Sequence, residues 1–297
     1  MDKQPTVSLV LGSGAARGLA HIGVIEWLTA NGYRIDSIAG ASMGALVGGI
    51  YAAGKLDGYK QWVLALETMD VIRFLDLAFS SEGLFKGDRL MDALREMVGE
   101  HDIEDLPISY TAVACDLERQ REVWLTDGSL FRAIRASIAI PTVFTPHRYR
   151  GMKLLDGGLL NPVPIAPTFK DMTDLTIAVD LNGIRAEAIM PDKTGGEPAQ
   201  AKKPASRYHI TVQRFLDSIQ GSMGQRQESD LGLFDLLSSS FETMQNAISS
   251  VKLATYAPDV LIRIPRSACK AYEFDRAAEL IELGHVMAAE AMAGAGK

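Results

Sequence analysis

Cysteine is almost missing from this sequence: Cys115 and Cys269 are the only two in 297 residues. That excludes a disulfide framework and a cysteine-built metal site, and it fits a reducing, cytoplasmic compartment. Positive charge is also short, with 30 Lys and Arg against 37 Asp and Glu. A nucleic-acid binder would carry a basic excess, so nucleic acid is excluded as a partner. Long apolar runs are scarce. The one stretch that imitates a membrane span, Ser37–Gly54, is uncharged, and Gly40, Gly44 and Gly48 in it have GxxxG spacing. It falls short of about 20 strongly apolar residues and is rich in Gly, so a buried strand, turn and helix is the better reading. Val7–Leu11 near the start is too short for a secretory core and is followed by no cleavage site. What remains is an ordinary globular balance, 47% hydrophobic and 23% charged, which excludes a disordered or collagen-like chain.

Strand and helix signals alternate along the first half. Thr6–Leu11 reads as a buried strand, followed by a Gly-rich turn and a helix from Ala15 to Asn31. There Ala20, Val24 and Leu28 make the buried stripe. Ile35–Ala39 reads as a strand leading into a second tight turn and a helix from Ser42 to Ala53. Asp88 suits the N-cap of a helix ending at Val98. Thr111–Cys115 and Glu122–Leu125 form a strand pair around a polar turn, Ser129–Ser137 a short helix, and Met152–Leu155 and Leu175–Val179 further strands. Such alternation predicts an α/β fold, a mostly parallel central sheet with helices on both faces and a site at the carboxyl ends of its strands. Residues 1–185 are the expected core and 186–207 a linker. Residues 208–297 are a helical C-terminal part with a late strand, Val260–Ile264, and a closing helix, Glu273–Met292. In that part Leu233, Leu237, Phe241, Met244, Ile248 and Val251 recur every three or four residues. This stripe is expected to pack on the core, with a lid or homodimer contact as the alternative.

Two glycine-rich turns carry the chemistry. Gly12-Ser13-Gly14-Ala15-Ala16-Arg17-Gly18 follows a strand and opens a helix, where backbone N–H groups gather as an anion site. It departs from the dinucleotide fingerprint, because Arg17 stands at the sixth position and Gly18 is one residue late. Asp36 keeps a ribose-binding reading open. A phosphate-binding loop would need Gly-Lys-Ser/Thr, which is absent, and an oxyanion hole is the third reading. The second turn, Gly40-Ala41-Ser42-Met43-Gly44, is a G-x-S-x-G nucleophile elbow, whose sharp bend leaves no room for side chains at Gly40 or Gly44. A serine nucleophile needs a base. Of the five histidines, His21, His101, His147, His209 and His285, only His209 and His285 lie late enough for a Ser–Asp–His order, and neither, beside a linker and inside an amphipathic helix, occupies the usual strand-end loop. Asp156-Gly157-Gly158, at the end of an apolar strand, supplies a carboxylate able to act as the base without histidine.

The order G-x-G-x-x-R-G, G-x-S-x-G and D-G-G resembles the patatin-like phospholipases, which are Ser–Asp dyad acyl hydrolases. Gly12–Ile25, Ala136–Phe144 and Asp156–Pro164 look like the compact bacterial branch, and the likeness spans Val7 to Leu181. The resemblance implies a patatin-like three-layer sandwich, with Ser42 as nucleophile and Asp156 as base. The loop residues Gly12, Gly14, Ala15, Arg17 and Gly18 would form the oxyanion hole through backbone amides around Gly14 and Ala15, with Arg17 and Gly18 shaping the loop, and Gly157 and Gly158 would support the turn. Ser13 and Ala15 stand where plant members carry Gly. It implies a lipid or fatty-ester substrate, peripheral membrane contact, and neither cofactor nor metal. A lipid-binding regulatory protein of the same fold, with little turnover, is the alternative. Among neighbouring residues, Arg17 is expected to hold the loop or an anionic head group, or simply to face solvent. Asp116 is a rival base, Asn161-Pro162 shapes the loop beside Asp156, and Phe74–Phe85 is expected to be core, with an acyl groove or a membrane-surface contact as the alternatives.

Overall fold

The computed structural model describes residues 4–66, 77–80, 83–183 and 233–297. In chain order the elements are β1 (Thr6–Leu11), α1 (Ala20–Ala30), β2 (Arg34–Ala41), α2 (Met43–Ala52), α3 (Leu56–Ala65), β3 (Leu77–Ser80), β4 (Gly83–Phe85) and α4 (Asp88–Val98). After these come β5 (Ser109–Asp116), β6 (Arg121–Leu125), α5 (Leu130–Ser137), β7 (Thr142–Phe144), β8 (His147–Tyr149) and β9 (Met152–Asp156). The last are β10 (Leu175–Gly183), α6 (Leu233–Thr255), β11 (Val260–Pro265) and α7 (Ala277–Gly294).

β1 is buried along its whole length, as a central parallel strand covered on both faces must be. Among the described residues it lies inside an eight-stranded sheet of order β11-β10-β1-β2-β5-β9-β8, with β6 on β5. The run from β11 to β5 is parallel. β6, β9 and β8 join as antiparallel strands, β6 on β5 and β8 on β9 through tight turns that need no crossover helix, so the mostly parallel sheet is mixed beyond β5. β3, β4 and β7 form a small separate sheet.

On one face, Leu9 and Leu11 of β1 and Ile177 and Val179 of β10 share a core with α1, α2 and α7. α1 and α7 pack at glycines: a Cβ on Gly23 would overlap the Ile281 carbonyl, and one on Gly284 the Ala20 carbonyl. On the other face, Val10, Ala178, Val163 and Ile165 meet Leu253 of α6 and Tyr256 just beyond its end. With β11 in the sheet and α7 on α1, residues 241–297 belong to one body with residues 1–185. Residues 186–240 form a second unit, of which 233–240 are described. The expected linker at 186–207 and His209 lie outside the described residues, as do residues 74–76 and 81–82 of Phe74–Phe85.

Three local expectations change. The helix expected from Ala15 begins with a tight 3-10 turn, Ala15–Leu19, and becomes α-helical at Ala20. Asp88 opens α4, but Gly87 is its cap and no side chain accepts there. α6 is turned over. Gln245 and Ser249 are buried, whereas Met244 and Val251 of the apolar stripe are 55% and 66% exposed. Beneath its middle turns the partners are polar, Gln245 donating to the Ser13 hydroxyl and Arg17 to Glu242, whereas the Ser249 hydroxyl has no partner among the described residues and Leu253 meets the apolar patch. The side chains of Leu233 and Leu237 lie outside the described residues.

Candidate active site

The sheet brings Ser42 and Asp156 together along a single edge of β5. β2 pairs with that edge as far as Ala41 opposite Val113. β9 comes in antiparallel and ends with Asp156 opposite Ala114, while β6 occupies the opposite edge over Ala112–Asp116. Two strands running toward each other therefore finish at adjacent positions. The residue after one end is Ser42, and the last residue of the other is Asp156.

Ser42 forms the bend between β2 and α2 with φ 56° and ψ −125°, a strained conformation for a side-chain-bearing residue, costing about 1–3 kcal/mol. The surroundings hold it there. A Cβ on Gly40 would overlap the Gly44 carbonyl, and one on Gly44 would overlap the carbonyl of Leu11. The Ser42 N–H donates to Ser137 Oγ at 2.9 Å, and the Ser137 hydroxyl donates to the Val113 carbonyl at 2.6 Å. Ser42 lies at the N-terminus of α2, where the helix dipole favours an alkoxide, and is 3% exposed.

Asp156 is 1% exposed. Its N–H donates to the Ala139 carbonyl, and its Oδ1 accepts from the Gly158 N–H at 2.7 Å. Burial pushes its carboxyl up to about 7, opposed by the Ser42 hydroxyl and by the Gly158 N–H. Oδ2 is buried with no well-formed hydrogen bond among the described residues, which leaves a lone pair for the Ser42 proton. Gly157 must be glycine because a Cβ there would overlap the Val113 carbonyl, and Gly158 lies against Gln245 and Ser13.

The Gly-rich loop closes the third side. Gly12 N–H donates to Val179 O and Ser13 N–H to Pro162 O. Arg17 N–H donates to Gly14 O and Ala16 N–H to Ala271 O. Gly18 packs on Met43, where a Cβ would overlap its side chain. The expected donor set therefore narrows: Gly12 and Arg17 have no backbone N–H to spare, whereas those of Gly14 and Ala15 have no partner among the described residues. Ala15 has φ 46°, so strain falls in the loop as well as at the serine.

Other expected residues sort out by contact. Arg17 is 3% exposed and bonds the Cys269 carbonyl and Glu242, so it fastens the loop to the C-terminal segment and does not face solvent. Asp116 spends its oxygens on the Glu118 and Arg119 N–H groups and on the Arg119 guanidinium, a turn role. Asp36 pairs with Arg34 near the amino end of β2, opposite the Gly-rich loop, which removes the ribose-binding reading. Asn161 reaches Glu122, and Pro162 holds Ser13. Sequence reasoning missed Ser137, Ala139 and Gln245, because their contacts join segments about a hundred residues or more apart or involve plain backbone carbonyls. It also left unread the function of His21, whose Nε2 lies 2.8 Å from the Gly12 carbonyl oxygen. Among the described residues no group of three His, Cys, Asp or Glu is placed to hold a metal, and no helix is long and apolar enough to cross a membrane.

A family model described as patatin-like phospholipase matches residues 9–169, which contain both glycine-rich turns and Asp156. The chain belongs to the patatin-like phospholipase family. A protein of Mycobacterium bovis described as an uncharacterized NTE family protein is 38% identical over 98% of this chain and 92% of its own length. The lysophospholipase nte1 of Emericella nidulans is 32% identical over 60% of this chain and 12% of its own. A mouse patatin-like phospholipase domain-containing protein is 31% identical over 59% and 13%. Membership places this chain among lipid ester hydrolases, on an α/β patatin fold with a C-terminal helical part.

Proposed function

We propose that this patatin-like protein is a serine acyl hydrolase that cleaves fatty-acyl esters of phospholipids or lysophospholipids through a Ser42–Asp156 dyad and an acyl-enzyme. The observation that carries the reading is the meeting of Ser42 and Asp156 at adjacent positions on one edge of β5, with no well-formed hydrogen bond at Asp156 Oδ2 among the described residues. The lysophospholipase nte1 of Emericella nidulans supports the substrate class.

In the first half, Asp156 takes the Ser42 proton as Oγ bonds to the ester carbonyl carbon. The carbonyl oxygen becomes an oxyanion before the free N–H groups of Gly14 and Ala15. The tetrahedral species collapses, its C–O bond to the alcohol breaks, and the alcohol leaves with the proton from Asp156. In the second half water attacks the acyl group, giving its proton to Asp156. The acyl–Oγ bond then breaks, Ser42 recovers the proton, and the fatty acid departs. A well-placed oxyanion donor is worth about 10²–10³ in rate. The substrate's apolar chain favours peripheral contact with a membrane surface through that chain, since a net charge of −7 gives no attraction to anionic lipid. A fluorophosphonate probe is expected to label the protein and not Ser42→Ala, with mass spectrometry of released fatty acids reporting substrate. Labelling or release that survives in Ser42→Ala would overturn the assignment.

A further inference from the structure

We propose that His21 is a positioning residue of this site: as a neutral donor it clamps the Gly12 carbonyl and thereby aims the Gly14 and Ala15 N–H groups at the oxyanion. This inference rests on the dyad reading above.

His21 lies in the first turn of α1, fully buried, with Nε2 at 2.8 Å from the Gly12 oxygen. A carbonyl only accepts, so the proton sits on Nε2 and Nδ1 is bare. Nδ1 is buried with no partner among the described residues, so only the Nε2 side has work to do. Burial pushes the imidazole down to about 4, keeping it uncharged at working pH. The ring thus serves as a fixed N–H, not as an acid, a base or an ion-pair partner.

The Gly12–Ser13 peptide is gripped at both ends, its carbonyl by His21 and its N–H by Pro162 O. One peptide on, the chain releases the Gly14 N–H, then the Ala15 N–H, and is gripped again where Arg17 N–H meets Gly14 O and Ala16 N–H meets Ala271 O. The two free donors are suspended between two clamps, and among the described residues His21 is the side chain that bonds the backbone of the upstream clamp, while Gln245 bonds the Ser13 hydroxyl. Gly12 O also faces Gly44, so the same carbonyl packs against the elbow that carries Ser42. Without the His21 donor this carbonyl would be buried and unpaired, and the peptide would turn to find a partner, taking the Gly14 N–H with it.

The test compares His21→Gln, whose amide N–H reaches the Nε2 position, with His21→Phe, which keeps a ring but no donor. His21→Asn, whose amide falls short of Nε2, serves as a second donor-displaced variant if His21→Phe does not fold. Each is assayed on a soluble fatty ester and with a trifluoromethyl ketone, which forms a tetrahedral adduct on serine. Loss of oxyanion alignment is expected to cut kcat about 10- to 100-fold in His21→Phe or His21→Asn with KM little changed. Ketone affinity should weaken by the same factor, and His21→Gln should recover most of both. The pH profile of His21→Gln should overlay the wild type. Unchanged kcat in folded His21→Phe or His21→Asn, a loss confined to KM, or a fall in kcat without loss of ketone affinity would each overturn the proposal. Failure of the dyad reading is separate, since it would show as turnover in Ser42→Ala.

Discussion

Asp156→Asn is expected to remove nearly all turnover and yet make the protein more stable, by an amount that grows with pH. Asp156 is fully buried, and burial lifts its carboxyl from about 3.9 in water to about 7. At about 1.4 kcal/mol per pH unit, keeping that carboxylate ionised in the folded state costs about 4 kcal/mol above pH 7. The sign follows from proton counts. Between about pH 4 and 7 the folded protein holds a proton that the unfolded chain has released, so stability falls as pH rises through that window and levels off above it. The amide of Asn carries no charge at any of these pH values, can still accept from the Gly158 N–H, and turns its NH2 toward Ser42. Its advantage over the wild type should therefore widen by about 3 kcal/mol between about pH 5 and pH 8.5. For a chain of this size that is a Tm gap larger by about 6–12 °C at the higher pH. Urea unfolding of both proteins at the two pH values measures it. An advantage that stays constant with pH, or an Asn variant less stable than the wild type at pH 8.5, would refute the reasoning.

The same carboxyl governs rate. Because Asp156 must be deprotonated to accept the Ser42 proton, kcat/KM should fall on the acid side with an apparent midpoint near 7. Asp156→Asn must show no such limb in its residual rate. Gly44→Ala places a methyl on the Leu11 carbonyl, and neither backbone has room to retreat. It should cost at least about 1–3 kcal/mol and remove activity, read as loss of the cooperative melt and of probe labelling. On α6 the unusual rotation gives a paired forecast. Met244→Lys and Val251→Lys, on exposed positions, should move stability by less than about 0.5 kcal/mol. Ser249→Leu, on the buried polar face, should destabilise by about 1–3 kcal/mol.

Much of the site was legible because its chemistry is local. The elbow at Ser42 needs glycine at 40 and 44, and those glycines are visible in the string for the same steric reason that the structure enforces them. Asp156-Gly157-Gly158 is legible for a like reason, since Gly157 is pressed on the Val113 carbonyl. Arg17 was harder. Its guanidinium meets Glu242 and the Cys269 carbonyl, both more than two hundred residues away, and no local pattern announces such a partner. The rotation of α6 was misjudged because periodicity locates an apolar face without saying what surface lies opposite. Here that surface holds Ser13 and Arg17, so polar groups went inward.

By itself the sequence determined the strands and helices that flank each glycine turn, because hydrogen bonding to near neighbours and the space around a Cβ are local matters. It also specified a serine at a helix N-terminus and a carboxylate at a strand end. Only the tertiary structure decided that the two meet, since it takes β2 and β9 arriving from opposite directions on one edge of β5. It decided too which loop amides stay free, because Val179, Pro162 and Ala271 claim the others from remote parts of the chain. Burial, the cause of Asp156's raised pKa, is likewise a property of the packed whole.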